Sequence, residues 1–186
     1  MKAATAQPNV RPTSSMVTSI ELSVEQRVRK NEESATAHVF YMRDPSRVCK
    51  IRFAPRSANE RTRAEQSHLD ELEAYGVAAA NPELCDHVAR CFGPVQVSRV
   101  VSKTGEDISD GYLLGTAFAL EHLAGRDRKA YGLDMAKYPH VRKLIDAFLR
   151  GGLDAGDASV FGYAATETAK FIDFTTKWGM RRDGTP

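Results

Sequence analysis

Gly151 to Thr175 reads GGLDAGDASVFGYAATETAKFIDFT, and the rest of the chain takes its meaning from this stretch. Asp154 lies in a polar loop bracketed by Gly151-Gly152 and Gly156, directly after an amphipathic segment. Ser159 opens the short apolar run Val160-Phe161, a turn-rich gap follows, and Lys170-Phe171-Ile172-Asp173-Phe174 is a second apolar run ending in an acid. The pattern predicts loop, strand, hairpin, strand. A hairpin of that size brings its ends side by side, so Asp154 and Asp173 face one space. Two carboxylates delivered in this way suit a metal ion plus a general base.

Upstream, Tyr138 to Arg150 carries Val141, Leu144, Ile145 and Phe148 at helical spacing and ends at Gly151-Gly152. Gly125 to Tyr138 is polar and basic and reads as a linker or a short helix. Before it, Phe92 to Val101 and Tyr112 to Leu120 read as two strands around a polar turn. Ala58 to Tyr75 predicts a helix, capped by Ser57 or Asn59 and stopped at Gly76, with Ala64, His68, Leu69, Leu72 and Tyr75 as its stripe. Three strands precede it: an alternating run beginning at Ile20, then Ala37 to Tyr41, then Arg47 to Phe53, with Asp44-Pro45-Ser46 as the turn between the last two. Residues 1–18 are rich in Ala, Thr, Ser, Pro and Gln and read as a disordered leader.

Composition narrows the class without naming a chemistry. The 186 residues are 42% hydrophobic and 27% charged, ordinary for a soluble globular chain long enough to bury a core. No apolar run approaches the roughly 18 residues of a membrane span, and the N-terminus lacks the apolar core of a signal peptide. Three cysteines (Cys49, Cys85 and Cys91) make no framework spacing and fit a reducing, cytoplasmic setting. Cys85 and His87 with Cys91 nearby give three ligand types and no fourth, which suits ordinary thiols and a surface histidine better than zinc. A net charge of +2 gives no argument for nucleic acid.

The order of these features resembles the protein-kinase superfamily. That family places a lysine on its third strand, a glutamate on the following helix, and a catalytic Asp followed five residues later by a metal-binding Asn. A strand pair ending in Asp-Phe-Gly completes the series. Here Val48-Cys49-Lys50 supplies the lysine, Leu153-Asp154 stands where the family has Arg-Asp, Ser159 where it has Asn, and Asp173-Phe174-Thr175 where it has Asp-Phe-Gly. The implied fold is α+β and protein-kinase-like. A five-stranded antiparallel N-lobe with one helix spans 19–123, and a strongly reduced C-lobe spans 124–186.

The implied chemistry is transfer of the ATP γ-phosphate to a protein hydroxyl, Ser or Thr favoured, with ATP and Mg²⁺ as cofactors. Asp154 would be the base, and Asp173 and Ser159 the metal ligands, with Asp157 able to reach inward. Lys50 would neutralise phosphate charge, steadied by Glu65 of Arg63-Ala64-Glu65-Gln66-Ser67-His68-Leu69, with Glu71 and Glu73 as alternatives. Ser34 and Thr36 would donate to phosphates, and Glu121 and Leu123 would offer main-chain groups to adenine beside Leu120. The chain departs from the family at Thr175 and in the loop 30–36, which has no glycine and carries Glu32-Glu33. It also departs in the 13 residues that follow Asp173. In these respects it resembles the reduced kinases of bacterial type III effectors and lytic phages. That likeness implies a protein substrate or host protein as partner and delivery into a host cytosol; the leader resembles the export signals of bacterial effectors and reads more simply as an unstructured terminus. The rival expectation is a pseudokinase-like binding module without turnover.

Overall fold

The computed structural model describes residues 19–28 and 36–176. Among them, two helices and eleven short strands form an α+β chain. In chain order these are β1 (Ile20–Ser23), β2 (Ala37–Tyr41), β3 (Arg47–Arg52), α1 (Ala58–Ala80), β4 (Cys91–Pro94), β5 (Val97–Val101) and β6 (Phe118–Glu121). Then come β7 (Asp127–Lys129), α2 (Pro139–Arg150), β8 (Leu153–Asp154), β9 (Ser159–Phe161), β10 (Lys170–Ile172) and β11 (Thr175–Thr176). The Ser34 expectation and the 1–18 leader lie outside the described residues. No helix among those described is long and apolar enough to cross a membrane.

The central sheet is antiparallel, four-stranded, in the order β2-β3-β6-β4. Alternation along β3 gives that sheet two different faces. Cys49 and Ile51 face a smaller core with Leu22, Phe40, Val97, Val100 and Tyr112. Val48 joins the larger core with Tyr75, Phe118, Leu120 and Phe148, and Lys50 and Arg52 reach α1 on that same side.

The expected fifth antiparallel strand does not form. Ile20–Ser23 instead pairs in parallel with β5 as a separate two-stranded sheet. The cause is local: Ser23 and Gln26 form a capping box around a single tight turn at Val24–Gln26. The chain therefore bends away before it can run along β2. The Arg27–Phe40 bridge and the Val28 N–H, which donates to the Val39 carbonyl at 2.8 Å, tie the segment after the turn to β2, and Leu22 packs in one core with Phe40.

Two other expected elements are also redrawn. Of the return strand expected over Tyr112 to Leu120, only the end forms β6; tight turns at Ser109–Gly111 and Leu114–Thr116 occupy the rest. The Thr116 hydroxyl donates to the Leu113 carbonyl at 2.7 Å and fixes the second of them. Helix α1 begins as expected at Ser57, whose side chain accepts from the Glu60 N–H while Glu60 accepts from the Ser57 N–H. It does not stop at Gly76. Glycine inside a helix costs only about 1 kcal/mol, and the following Val-Ala-Ala-Ala run favours helix and buries Ala78. The turn ends instead at Asn81.

The expected hairpin forms: β9 pairs with β10, Ser159 opposite Ile172. Gly162 makes it possible, with φ +60° and a position where any Cβ would lie 2.4 Å from the Thr168 carbonyl oxygen. The polar segment expected as linker or helix contributes β7, which pairs with the other edge of β9. Helix α2 forms over the expected range and buries Val141, Ala147 and Phe148. An aromatic cluster then ties the two halves of the chain together. Tyr75 of α1 lies 4.7 Å from Phe174, and Phe148 of α2 lies 4.9 Å from Phe171 and 5.0 Å from Phe174 (ring centroids).

Burial separates the three thiols. Cys49 is fully buried and its thiol is pushed up to about 12; burial also raises Cys91, whereas Cys85 is exposed. Brief alkylation of the native chain at pH 8 is expected to label Cys85 first and to spare Cys49 until denaturant is added. Peptide mapping by mass spectrometry reads the order. Early labelling of Cys49 would contradict its place in the core.

Candidate functional site

Lys50 and Arg52 lie two residues apart on one face of β3, so both side chains reach the same turn of α1. Glu71 receives them with one oxygen each: Lys50 Nζ donates to Oε1 at 2.6 Å and Arg52 Nη2 to Oε2 at 2.9 Å. Arg52 Nη2 also donates to the Ser67 carbonyl at 3.2 Å, fixing the helix backbone as well as its carboxylate. Glu71 is only 2% exposed and Arg52 8%. Buried charges of this kind persist only when paired and hydrogen-bonded, and here each is.

Lys50 makes a second bond, donating to Asp173 Oδ1 at 2.8 Å. Burial pulls its ammonium pKa down, but the Asp173 and Glu71 carboxylates outweigh burial and leave it raised overall. His68, on the same helix face, is lowered by burial and by the Arg52 and Lys50 charges. Burial raises Tyr75, and Glu71 and Asp173 raise it further. The cluster therefore holds two charged cations against two carboxylates beside a neutral aromatic lining.

Asp173 reaches Lys50 because of its backbone. It is the one described non-glycine residue with positive φ, +60°, a conformation Asp tolerates better than most side chains. The turn sends Phe174 into the aromatic cluster and leaves Asp173 half-buried at the end of β10. Beyond it β11 pairs with β8, Thr175 opposite Asp154. The two acids thus lie at the same end of the hairpin, as the spacing predicted. Asp154 is exposed, and its Oδ1 accepts the Gly156 N–H at 2.8 Å, which shapes the loop that follows.

Sequence reasoning placed the wrong glutamate beside Lys50. Glu65 is exposed and pairs with Arg61 at 3.4 Å, one helical turn away; the partner of Lys50 is Glu71. The buried line of α1 runs through His68, Glu71, Tyr75 and Ala78 at spacings of three and four, and Glu65 falls on its flank. Leu69, expected in the stripe, is 57% exposed. Arg52 went unnoticed, although its place two residues after Lys50 puts it on the same strand face.

Ser159 is 2% exposed, set in β9 between Lys129 and Ile172. Asp157 is exposed in the loop after Asp154. Lys129 was not anticipated at all: its Nζ donates to the Asp157 carbonyl at 2.8 Å and lies 4.0 Å from Asp173 Oδ2. Glu121 is committed within the protein, its N–H to the Arg90 carbonyl at 2.8 Å and its carboxylate to Lys170 at 2.7 and 2.8 Å. That pairing outweighs burial and lowers the Glu121 pKa. Leu123 packs half-buried against the larger core.

Enclosed volume and charge do not coincide. A groove of about 940 Å³ is lined by Leu72, Tyr75, Gly76, Cys91, Glu121 and Lys170, and a notch of about 230 Å³ by Glu65, His68, Leu69 and Leu114 among others. Neither is lined by Lys50, Asp154 or Asp173. Concentrated, structurally supported charge is the better guide to chemistry, so the Lys50–Asp173 end is the candidate site. Compared with known proteins, the chain matches no family model, and no curated protein matches it.

Proposed function

We propose that the chain is an atypical protein kinase that moves the terminal phosphoryl group of ATP to a Ser or Thr hydroxyl of another protein. The observation that carries this reading is Lys50 held between Glu71 and Asp173, with Asp154 at the same end of the hairpin. Phosphoryl transfer asks a protein mainly for positioning and fixed charge, and this arrangement has both. The four-strand order β2-β3-β6-β4 with a helix after β3 supports a protein-kinase-like fold.

In this reading the substrate hydroxyl oxygen attacks the terminal phosphorus, the bond to the bridging oxygen of ADP breaks, and Asp154 takes the hydroxyl proton. Lys50 compensates charge on the inner phosphate oxygens, and Glu71 with Arg52 keeps its ammonium aimed. Asp173 is the ligand suited to Mg²⁺, which favours one or two carboxylates plus phosphate oxygens over a full protein cage. Among the described residues no group of three acids, histidines or cysteines stands together as such a cage. Held there by Asp173, the ion would supply positive charge to offset that of the phosphates. The burial of Ser159 leaves its hydroxyl a minor contributor beside Asp173. Any main-chain contact of Glu121 with adenine falls to its carbonyl, because its N–H is bonded to Arg90.

The burial of Ser159 also favours a second reading, a binding module of kinase-like shape without turnover. One experiment separates the two. The wild type, alone and with cell lysate, is incubated with Mg²⁺ and γ-labelled ATP beside Asp154→Ala. An exposed carboxylate acting as base contributes about 10²–10⁴-fold, so label should appear with the wild type and vanish with the variant. No transfer, together with no shift of the melting temperature by ATP, selects the binding module.

A further inference from the structure

We propose that Lys129 is a second phosphate-binding cation of this site, holding the terminal phosphoryl group while Lys50 serves the inner phosphates. The assignment rests on the phosphotransfer reading above. Asp173 presents one oxygen to each lysine, Oδ1 at 2.8 Å from Lys50 Nζ and Oδ2 at 4.0 Å from Lys129 Nζ. The two ammonium groups arrive from different parts of the fold. Lys50 comes from the central sheet, and Lys129 from β7, the strand added to the outer edge of the hairpin. Both ammonium groups therefore converge on the one carboxylate that would hold a phosphate-bound divalent ion.

The division of labour follows from what else each lysine touches. Lys50 is tied to α1 through Glu71. Lys129 is tied through the Asp157 carbonyl, at 2.8 Å, to the loop that follows Asp154. The reacting phosphorus has to lie beside Asp154, because that carboxylate takes the proton of the attacking hydroxyl. The cation fastened to the Asp154 loop is Lys129. Its backbone is in fixed register, Lys129 opposite Ser159 with the next N–H, of Ala130, donating to the Ala158 carbonyl at 2.8 Å. Its side chain is 35% exposed against 11% for Lys50, so an incoming phosphate can reach it. Lys50 and Arg52 are balanced by Glu71 and Asp173, and Lys129 adds a cation to that set. Asp127 and Arg128 precede it on the strand, Asp127 on the same face and Arg128 on the opposite one.

The test is equilibrium binding of Mg²⁺–ADP and of a Mg²⁺-bound non-hydrolysable ATP analogue to the full chain and three variants. Lys129→Met should weaken the analogue about tenfold and leave ADP within about twofold, because only the analogue carries a terminal phosphate. Lys129→Arg should recover most of the loss. Arg128→Met removes the same charge from the opposite strand face and should change neither nucleotide by more than about twofold. Unchanged analogue affinity in Lys129→Met overturns the assignment, as does equal weakening of both nucleotides, which would mark Lys129 as a support for the Asp157 loop. A wild type that binds neither nucleotide overturns the phosphotransfer reading itself and the assignment with it.

Discussion

Replacing Glu71 with alanine should lower the unfolding free energy by about 3–5 kcal/mol, while Glu65→Ala should change it by less than about 0.5 kcal/mol. The difference comes from what each glutamate holds. Glu65 meets one exposed arginine on its own helix, and such pairs contribute little. Glu71 neutralises two cations at once in a site where it is 2% exposed. Without it, Arg52 keeps the Ser67 carbonyl, and Lys50 keeps Asp173 and the face of Phe118, 5.9 Å from the ring centroid. Removing one partner of a buried ionic cluster is costly because the other charges stay behind. Glu71→Leu combined with Arg52→Met should therefore recover much of the loss, and a double-mutant cycle between the two should show strong coupling. Urea unfolding of the wild type and these variants reads the result. Similar midpoints for Glu71→Ala and Glu65→Ala would disprove the clamp. The same cluster sets an alkaline limit. Because the Lys50 pKa is raised on folding, its stabilisation is complete below the ordinary lysine value of about 10.4 and is lost only as pH rises beyond it.

The sequence exposed the features governed by local spacing. The hairpin around Gly162, helix α2 and the positions of Asp154 and Asp173 depend on contacts within about twenty residues, and periodicity with turn chemistry was enough to find them. Lys50 was singled out by the resemblance, from its place on the third predicted strand, and alternation along β3 turns it toward α1. Glu71 was harder, because helical position alone offers several acids and only burial separates them. Its spacing from His68 and Tyr75 carried the signal, but Leu69 and Leu72 suggested a stripe centred slightly to one side. What stayed hidden depended on pairing over long separations. Whether Ile20–Ser23 joins β2 or β5 turns on the Ser23 capping turn and on partners some 75 residues away. Lys129 sits in a basic segment with no periodicity, and only its pairing with β9 brings it to Asp173.

Asp173→Asn should cut phosphoryl transfer about a thousandfold while leaving the fold within about 2 kcal/mol of wild type. Asparagine accepts the +60° φ of this position nearly as well as aspartate. Its amide oxygen can still accept from Lys50, and Phe174 keeps its contacts with Tyr75 and Phe148. The lost quantity is the negative charge, on which a hard divalent ion depends. Half-saturating Mg²⁺ should therefore rise sharply, a change that a purely structural role for Asp173 would not produce. Asp173→Ala should be worse on stability by about a further 1 kcal/mol, since alanine in a left-handed conformation is strained. Asp173→Gly relieves that strain and should unfold later than the alanine variant, yet be just as inactive. Stability and activity would then part company across the series Asn, Ala, Gly, with the carboxylate alone setting the rate. Initial rates over a Mg²⁺ titration, set beside urea midpoints, test each step. If Asp173→Asn kept more than about half the wild-type rate, the carboxylate would not be the metal ligand, and a chain that binds without turnover would be the better account of the Lys50–Asp173 pair.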